Sequence, residues 1–107
     1  EEISRADAEQ EQWLAVLREE GLLATGENEP AAVVRALHRF ITRTPARLRS
    51  LALVDAVGDR RTQNQPGTVD EYPNWRVPLS GPDGRPLLLE DVFTSARAAA
   101  LCRDMTE

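Results

Sequence analysis

A chain of 107 residues, 41% hydrophobic and 29% charged, has ordinary globular composition. That argues against wholesale disorder and fits one small domain or a piece of a larger one. Its 13 basic residues, all Arg, face 18 acidic ones for a net charge of −5, which disfavours nucleic acid and anionic membrane as partners.

One cysteine, Cys102, permits no internal disulfide and fits a reducing, cytoplasmic setting. With the single His38 it makes neither a zinc site nor a good nucleophilic pair, so no metal and no cofactor are expected. No apolar run approaches the ~20 residues of a membrane span. The opening Glu1-Glu2-Ile3-Ser4-Arg5 lacks the pattern of a signal peptide, and without a Met the chain is expected to be processed or cut from something longer. Gly-rich phosphate loops and Gly-x-Ser-x-Gly elbows are missing too, so within these residues only carboxylates offer material for catalysis.

The first predicted element is a helix over about 4–20, opened by Ser4 with Asp7 and closed by Gly21. Trp13, Leu14 and Leu17, extended by Ala6, share one apolar face, opposite Glu9, Glu11, Glu19 and Glu20. A second helix is predicted over 30–43, capped by Asn28 and started by Pro30. Its buried face is Val33, Leu37, Phe40 and Ile41, and Thr44-Pro45 ends it. Arg35, Arg39 and Arg43 recur every fourth residue as a basic stripe, read as a solvated face with some carboxylate pairing, and His38 is read as a partly buried structural histidine.

Residues 48–54 follow Pro45 with near-continuous apolar Leu51-Ala52-Leu53-Val54. They read as a buried strand of a parallel sheet, whose two covered faces need no alternation. A long loop over 58–87 comes next. A last helix, about 88–105, should turn Leu89, Val92, Phe93, Ala96 and Ala100 inward and keep Cys102 in or beside the core. The order helix, strand, loop, helix is that of an α/β chain, taken as a single segment over 1–107.

The loop is the informative stretch, because a structureless connection of that length in a compact domain is usually functional. Asn64 and Asn74 offer paired donors and acceptors for hydroxyls, Tyr72 and Trp75 flat apolar faces, and Arg76 a planar fork, the makings of a carbohydrate site. On composition alone, Tyr72 and Trp75 serve equally well to pin the loop to the protein.

Asn64-x-Pro66-Gly67-Thr68 followed by Glu71-Tyr72-Pro73-Asn74-Trp75-Arg76 resembles the C-terminal signature of the 4-alpha-glucanotransferases, the amylomaltases or disproportionating enzymes of glycoside hydrolase family 77. Asp55, at the end of the predicted strand, fits the same pattern, as does 33–57 more loosely. The chain departs from it after Gly58, where Asp59-Arg60-Arg61-Thr62 stands. The resemblance implies a retaining enzyme on a (β/α)8 barrel that transfers α-1,4-glucan segments between maltooligosaccharides. It also implies that this chain is the C-terminal part of that barrel.

The three carboxylates of such chemistry have no counterpart motifs here. The resemblance therefore implies no catalytic residue in this segment and no activity for the segment alone. What it implies is a substrate-site wall of Asn64, Pro66, Gly67, Trp75 and Asp55, with Arg76 locking the loop through Asp70 or Glu71. The implied partners are maltooligosaccharides or glucans derived from starch or glycogen, without nucleic acid or membrane. Two other readings compete: an acidic helical interaction module using the Trp13–Leu17 face, and a nucleic-acid binder using the Arg35–Arg39–Arg43 stripe. The acidic balance opposes the second of these.

Overall fold

The computed structural model describes residues 2–106. Five helices form its regular structure: α1 (Glu2–Glu19), α2 (Pro30–Thr42), α3 (Leu53–Val57), α4 (Leu89–Phe93) and α5 (Ala96–Thr106). Among the described residues there is no sheet, only an isolated antiparallel bridge between Ser80 and Pro86. The chain divides into two compact units, one running to Ser50 and including the residues from Arg103 on, the other Leu51–Cys102.

In the first unit, α1 and α2 pack through Leu14, Leu17, Leu23 and Ala36, with Leu22, Ala32, Val33, Leu37 and Phe40 around them. Apolar residues at helical spacing account for this seam. Trp13 is not buried with Leu14; its ring meets Phe40 edge to face, with centroids 5.9 Å apart. Ser4 lies within α1 rather than before it, and Asn28 does not cap α2: Glu29 holds the cap position, and its N–H donates to the Glu27 carboxylate at 2.9 Å. His38 is buried and donates from Nδ1 to the Val34 carbonyl at 2.7 Å.

The stripe on α2 meets the last turn of α5. Asp104, 2% exposed, accepts from Arg35 Nε and Nη2 at 2.6 and 3.0 Å and from Arg39 Nε at 3.0 Å. These guanidiniums, Arg35 foremost, hold its carboxyl below the usual carboxylate range. Arg43 donates to the Glu20 carbonyl at 2.8 Å and pairs with its carboxylate at 3.8 Å.

In the second unit the predicted strand at 48–54 is not formed. Leu48 is 93% exposed, and the apolar run continues into the short helix α3, which buries Ala56 and Val57. The reason is hydrogen bonding. A parallel strand needs a neighbour on each side for its N–H and C=O groups, and no strand among the described residues supplies one. Leu53–Val57 satisfies its backbone internally instead, with Asp55 and Ala56 N–H on the Ala52 carbonyl. Gly58 ends α3 at φ +78°. A Cβ there would come within 2.9 Å of Arg97 Nη1 and of Pro82 Cγ, so both backbone and space call for glycine.

The predicted last helix is broken in two. Ser95 caps α5, its Oγ accepting the Ala98 N–H at 3.2 Å, while Leu88 N–H donates to Asp91 at the start of α4. Leu89 and Phe93 are exposed, and Ala98 and Leu101 lie in the core instead. Cys102 is exposed, not a core residue.

Candidate functional site: a braced loop

Residues 58–87 are not a structureless loop. Their far end, Gly81-Pro82-Asp83-Gly84, is a hairpin turn: Gly84 N–H donates to the Gly81 carbonyl and Gly81 N–H to that of Arg85, both at 3.0 Å. A Pro-Asp-Gly run between apolar residues is the turn signal that could have revealed it.

The near end is closed by a cluster that sequence reading missed. Asp59, its side chain 0% exposed, accepts from Arg61 Nε and Nη2 at 3.2 and 3.1 Å, from Arg61 N–H at 3.0 Å and from Ser80 N–H at 3.0 Å. Arg61 Nη2 also reaches the buried Ser80 Oγ at 2.9 Å and the Pro78 carbonyl. The Arg61 guanidinium is the main reason that the Asp59 pKa falls to about 2, helped by the two backbone N–H groups and opposed by burial. The signal for it was an Asp two residues before an Arg, which favours a local side-chain turn. Nothing local pointed to Ser80.

Between these ends, residues 62–77 form a compact loop braced by its own side chains, of the kind that often carries function. Gln65-Pro66-Gly67-Thr68 is a β-turn closed by Thr68 N–H on the Gln65 carbonyl. Pro66 sits at its second position and Gly67, φ +85°, at its third, a type II arrangement. Pro66 and Gly67 are thus turn formers. Asn74 spans the loop: its Oδ1 accepts Gln65 N–H at 2.7 Å, and its Nδ2 donates to Thr68 Oγ1 at 2.9 Å. Its amide is committed to bracing, not free for a sugar. Tyr72 is a pin as well, its hydroxyl donating to the Thr62 carbonyl.

Trp75 N–H donates to the Gln63 carbonyl at 2.7 Å, which sets Trp75 beside the Gln63–Asn64 segment. Trp75 adopts φ +61°, and among the described non-glycine residues it alone has a positive φ. For a bulky side chain that backbone is strained. The residue is 75% exposed. The side-chain amide of Asn64 has no hydrogen-bond partner among the described residues, although its own carbonyl accepts from Thr62 Oγ1.

The expected lock through Arg76 is not made. Arg76 is exposed and forms no ion pair with Asp70 or Glu71; Glu71 takes the Val69 N–H at 2.7 Å instead. A contact within two residues orders little chain, whereas an exposed ion pair must order two long side chains for a small return. Asp55 lies exposed on α3 with no partner for its carboxylate. Among the described residues no group of three His, Cys, Asp or Glu side chains could hold a metal ion, and no helix is long and apolar enough to cross a membrane.

A family model described as 4-alpha-glucanotransferase, of glycoside hydrolase family 77, matches residues 2–83, which include the braced loop. The chain belongs to this family. Curated proteins named 4-alpha-glucanotransferase from Mycobacterium bovis (strain ATCC BAA-935 / AF2122/97) and from Mycobacterium tuberculosis (strains CDC 1551 / Oshkosh and ATCC 25618 / H37Rv) are each 62% identical to it over 101 residues. That match covers 94% of this chain and 14% of each relative. No solved structure matches it. Of the two competing surfaces, the first has Leu14 and Leu17 buried and Trp13 half exposed, and the second, the Arg stripe, pairs with Asp104 and Glu20 while staying about half exposed.

Proposed function

We propose that the whole protein to which this 4-alpha-glucanotransferase-family chain belongs is a retaining 4-alpha-glucanotransferase. It would move α-1,4-glucan segments between maltooligosaccharides, or chains derived from starch or glycogen, on a (β/α)8 barrel in the cytoplasm. The braced loop would wall the sugar site. The observation carrying this assignment is that the loop spends Asn74, Tyr72 and Thr68 on bracing, yet leaves the Asn64 amide unpartnered and Trp75 outward in a strained backbone. Strain of this kind costs roughly 1–3 kcal/mol and persists where the surroundings impose it, often at ligand sites.

In this reading Asn64 donates to one glucosyl hydroxyl and accepts from another, and Trp75 lays its ring against the apolar face of a sugar. Asp55 accepts from a further hydroxyl, and Pro66 and Gly67 hold Asn64 in place. Double displacement needs a nucleophilic carboxylate and an acid–base carboxylate on either side of the glycosidic bond. We assign both, with the third that steadies the sugar, to residues outside this chain, and no metal or cofactor takes part.

The whole protein, given maltotriose and a chelator, should yield glucose together with longer chains. Glucose and maltose with nothing longer would make it a hydrolase. Asn64→Ala should lower turnover by about 10–1000-fold with little change in melting temperature, the range for losing one positioned polar contact. Parallel losses of stability and turnover would reduce Asn64 to a loop builder.

A further inference from the structure

We infer that Arg61 is a positioning residue for glucan transfer: by closing the neck of the 62–77 loop it sets where Asn64 and Trp75 stand. The inference rests on the sugar-site reading above and adds to it a residue that makes no contact with substrate. The guanidinium joins the two sides of the neck at once, holding the Asp59 carboxylate on one and Ser80 Oγ and the Pro78 carbonyl on the other. Ser80 N–H on the same Asp59 carboxylate completes the closure.

Three observations make position, more than stability, the quantity that Arg61 controls. The segment 62–77 contains no fully buried apolar side chain, so hydrogen bonds rather than packing fix its place. Every brace within it, from Tyr72 on Thr62 to Asn74 on Gln65 and Thr68, ties the loop to itself; within this unit the described hydrogen bonds that anchor it converge on the neck. The Arg61 side chain is itself 44% exposed, so its pairing with Asp59 yields modest energy while its planar fork imposes direction. Loosening such a neck shifts the loop as one body. A displacement of about 1 Å at a reacting site is enough to cost on the order of 100-fold in rate.

The experiment is a double-mutant cycle in the whole protein, with maltotriose disproportionation and thermal unfolding measured together. Arg61→Gln should lower kcat by about 10–100-fold while the melting temperature moves little. Combined with Asn64→Ala it should add clearly less than its own loss in the unsubstituted protein, since only its effect through Trp75 remains, and on top of Asn64→Ala with Trp75→Ala it should add no more than about 3-fold. If the two losses multiply, or Arg61→Gln leaves kcat unchanged while Asn64→Ala lowers it, the positioning role is overturned and the sugar-site reading stands. If Asn64→Ala leaves turnover intact, the sugar-site reading fails and the positioning role fails with it. Should Arg61→Gln not fold, Ser80→Ala carries the same cycle. It removes one acceptor and keeps Asp59 paired, with an expected loss of about 3–10-fold and the same non-additivity.

Discussion

The first unit holds two helices together by burying Leu14, Leu17, Leu23 and Ala36, while the second holds residues 59–80 with hydrogen bonds around one enclosed carboxylate. Both units contain an Asp gripped by Arg, but the grips serve different ends. In the first unit, Asp104 fastens the last turn of α5 to a seam that is already packed. Around Asp59 there is little apolar area to bury, and the polar cluster itself decides where the chain runs. Apolar burial is large and non-directional, whereas hydrogen bonds contribute about 0.5–1.5 kcal/mol each but fix geometry. A region that must present a few side chains in set places can be built from the second kind of interaction, at the expense of robustness.

The largest effect that would test this contrast is in the packed unit. Leu17 is completely buried, and Leu17→Ala should destabilise that unit by about 2–5 kcal/mol, read from denaturant unfolding. A loss under about 1 kcal/mol would mean the seam is not the main support. Asp104→Ala ranks second, at about 1–2 kcal/mol. It removes an acceptor shared by Arg35 and Arg39, each nearly half exposed and so partly solvated, well short of breaking a fully buried pair. A cost matching that of Leu17→Ala would erase the distinction between fastening and packing.

The smallest effect lies in the pH dependence of the braced loop. Asp59 has an ordinary pKa of 3.8 and a folded one of about 2. Between those values the unfolded chain binds more protons, so stability from this carboxylate is fully present above about pH 4 and lost as pH falls towards 2. The half-exposed Arg61 partner limits it to on the order of 1 kcal/mol. Amide hydrogen exchange across residues 59–80, compared at pH 5 and pH 3, should show earlier opening at the lower pH. Asp59→Asn should flatten that difference. Equal protection at both pH values in the unsubstituted protein would remove Asp59 from the neck.

Local chemistry by itself determined the helices at the start of the chain and the family motif. Leu14 and Leu17 at helical spacing, Pro30 in a first turn and Thr44-Pro45 at an end act within a few residues, so they could be read in order. The same locality made Asn64-x-Pro66-Gly67-Thr68 recognisable, since Pro66 and Gly67 form their turn without distant help. Tertiary structure alone decided the rest. Whether Leu51–Val54 becomes strand or helix depends on partners for its backbone that no property of those four residues records. Asn64 and Asn74 have identical side chains and looked interchangeable, yet one is spent on Gln65 and Thr68 and the other is left open. Asp59 meets Ser80 across twenty-one positions, so its role existed only once the chain had closed on itself.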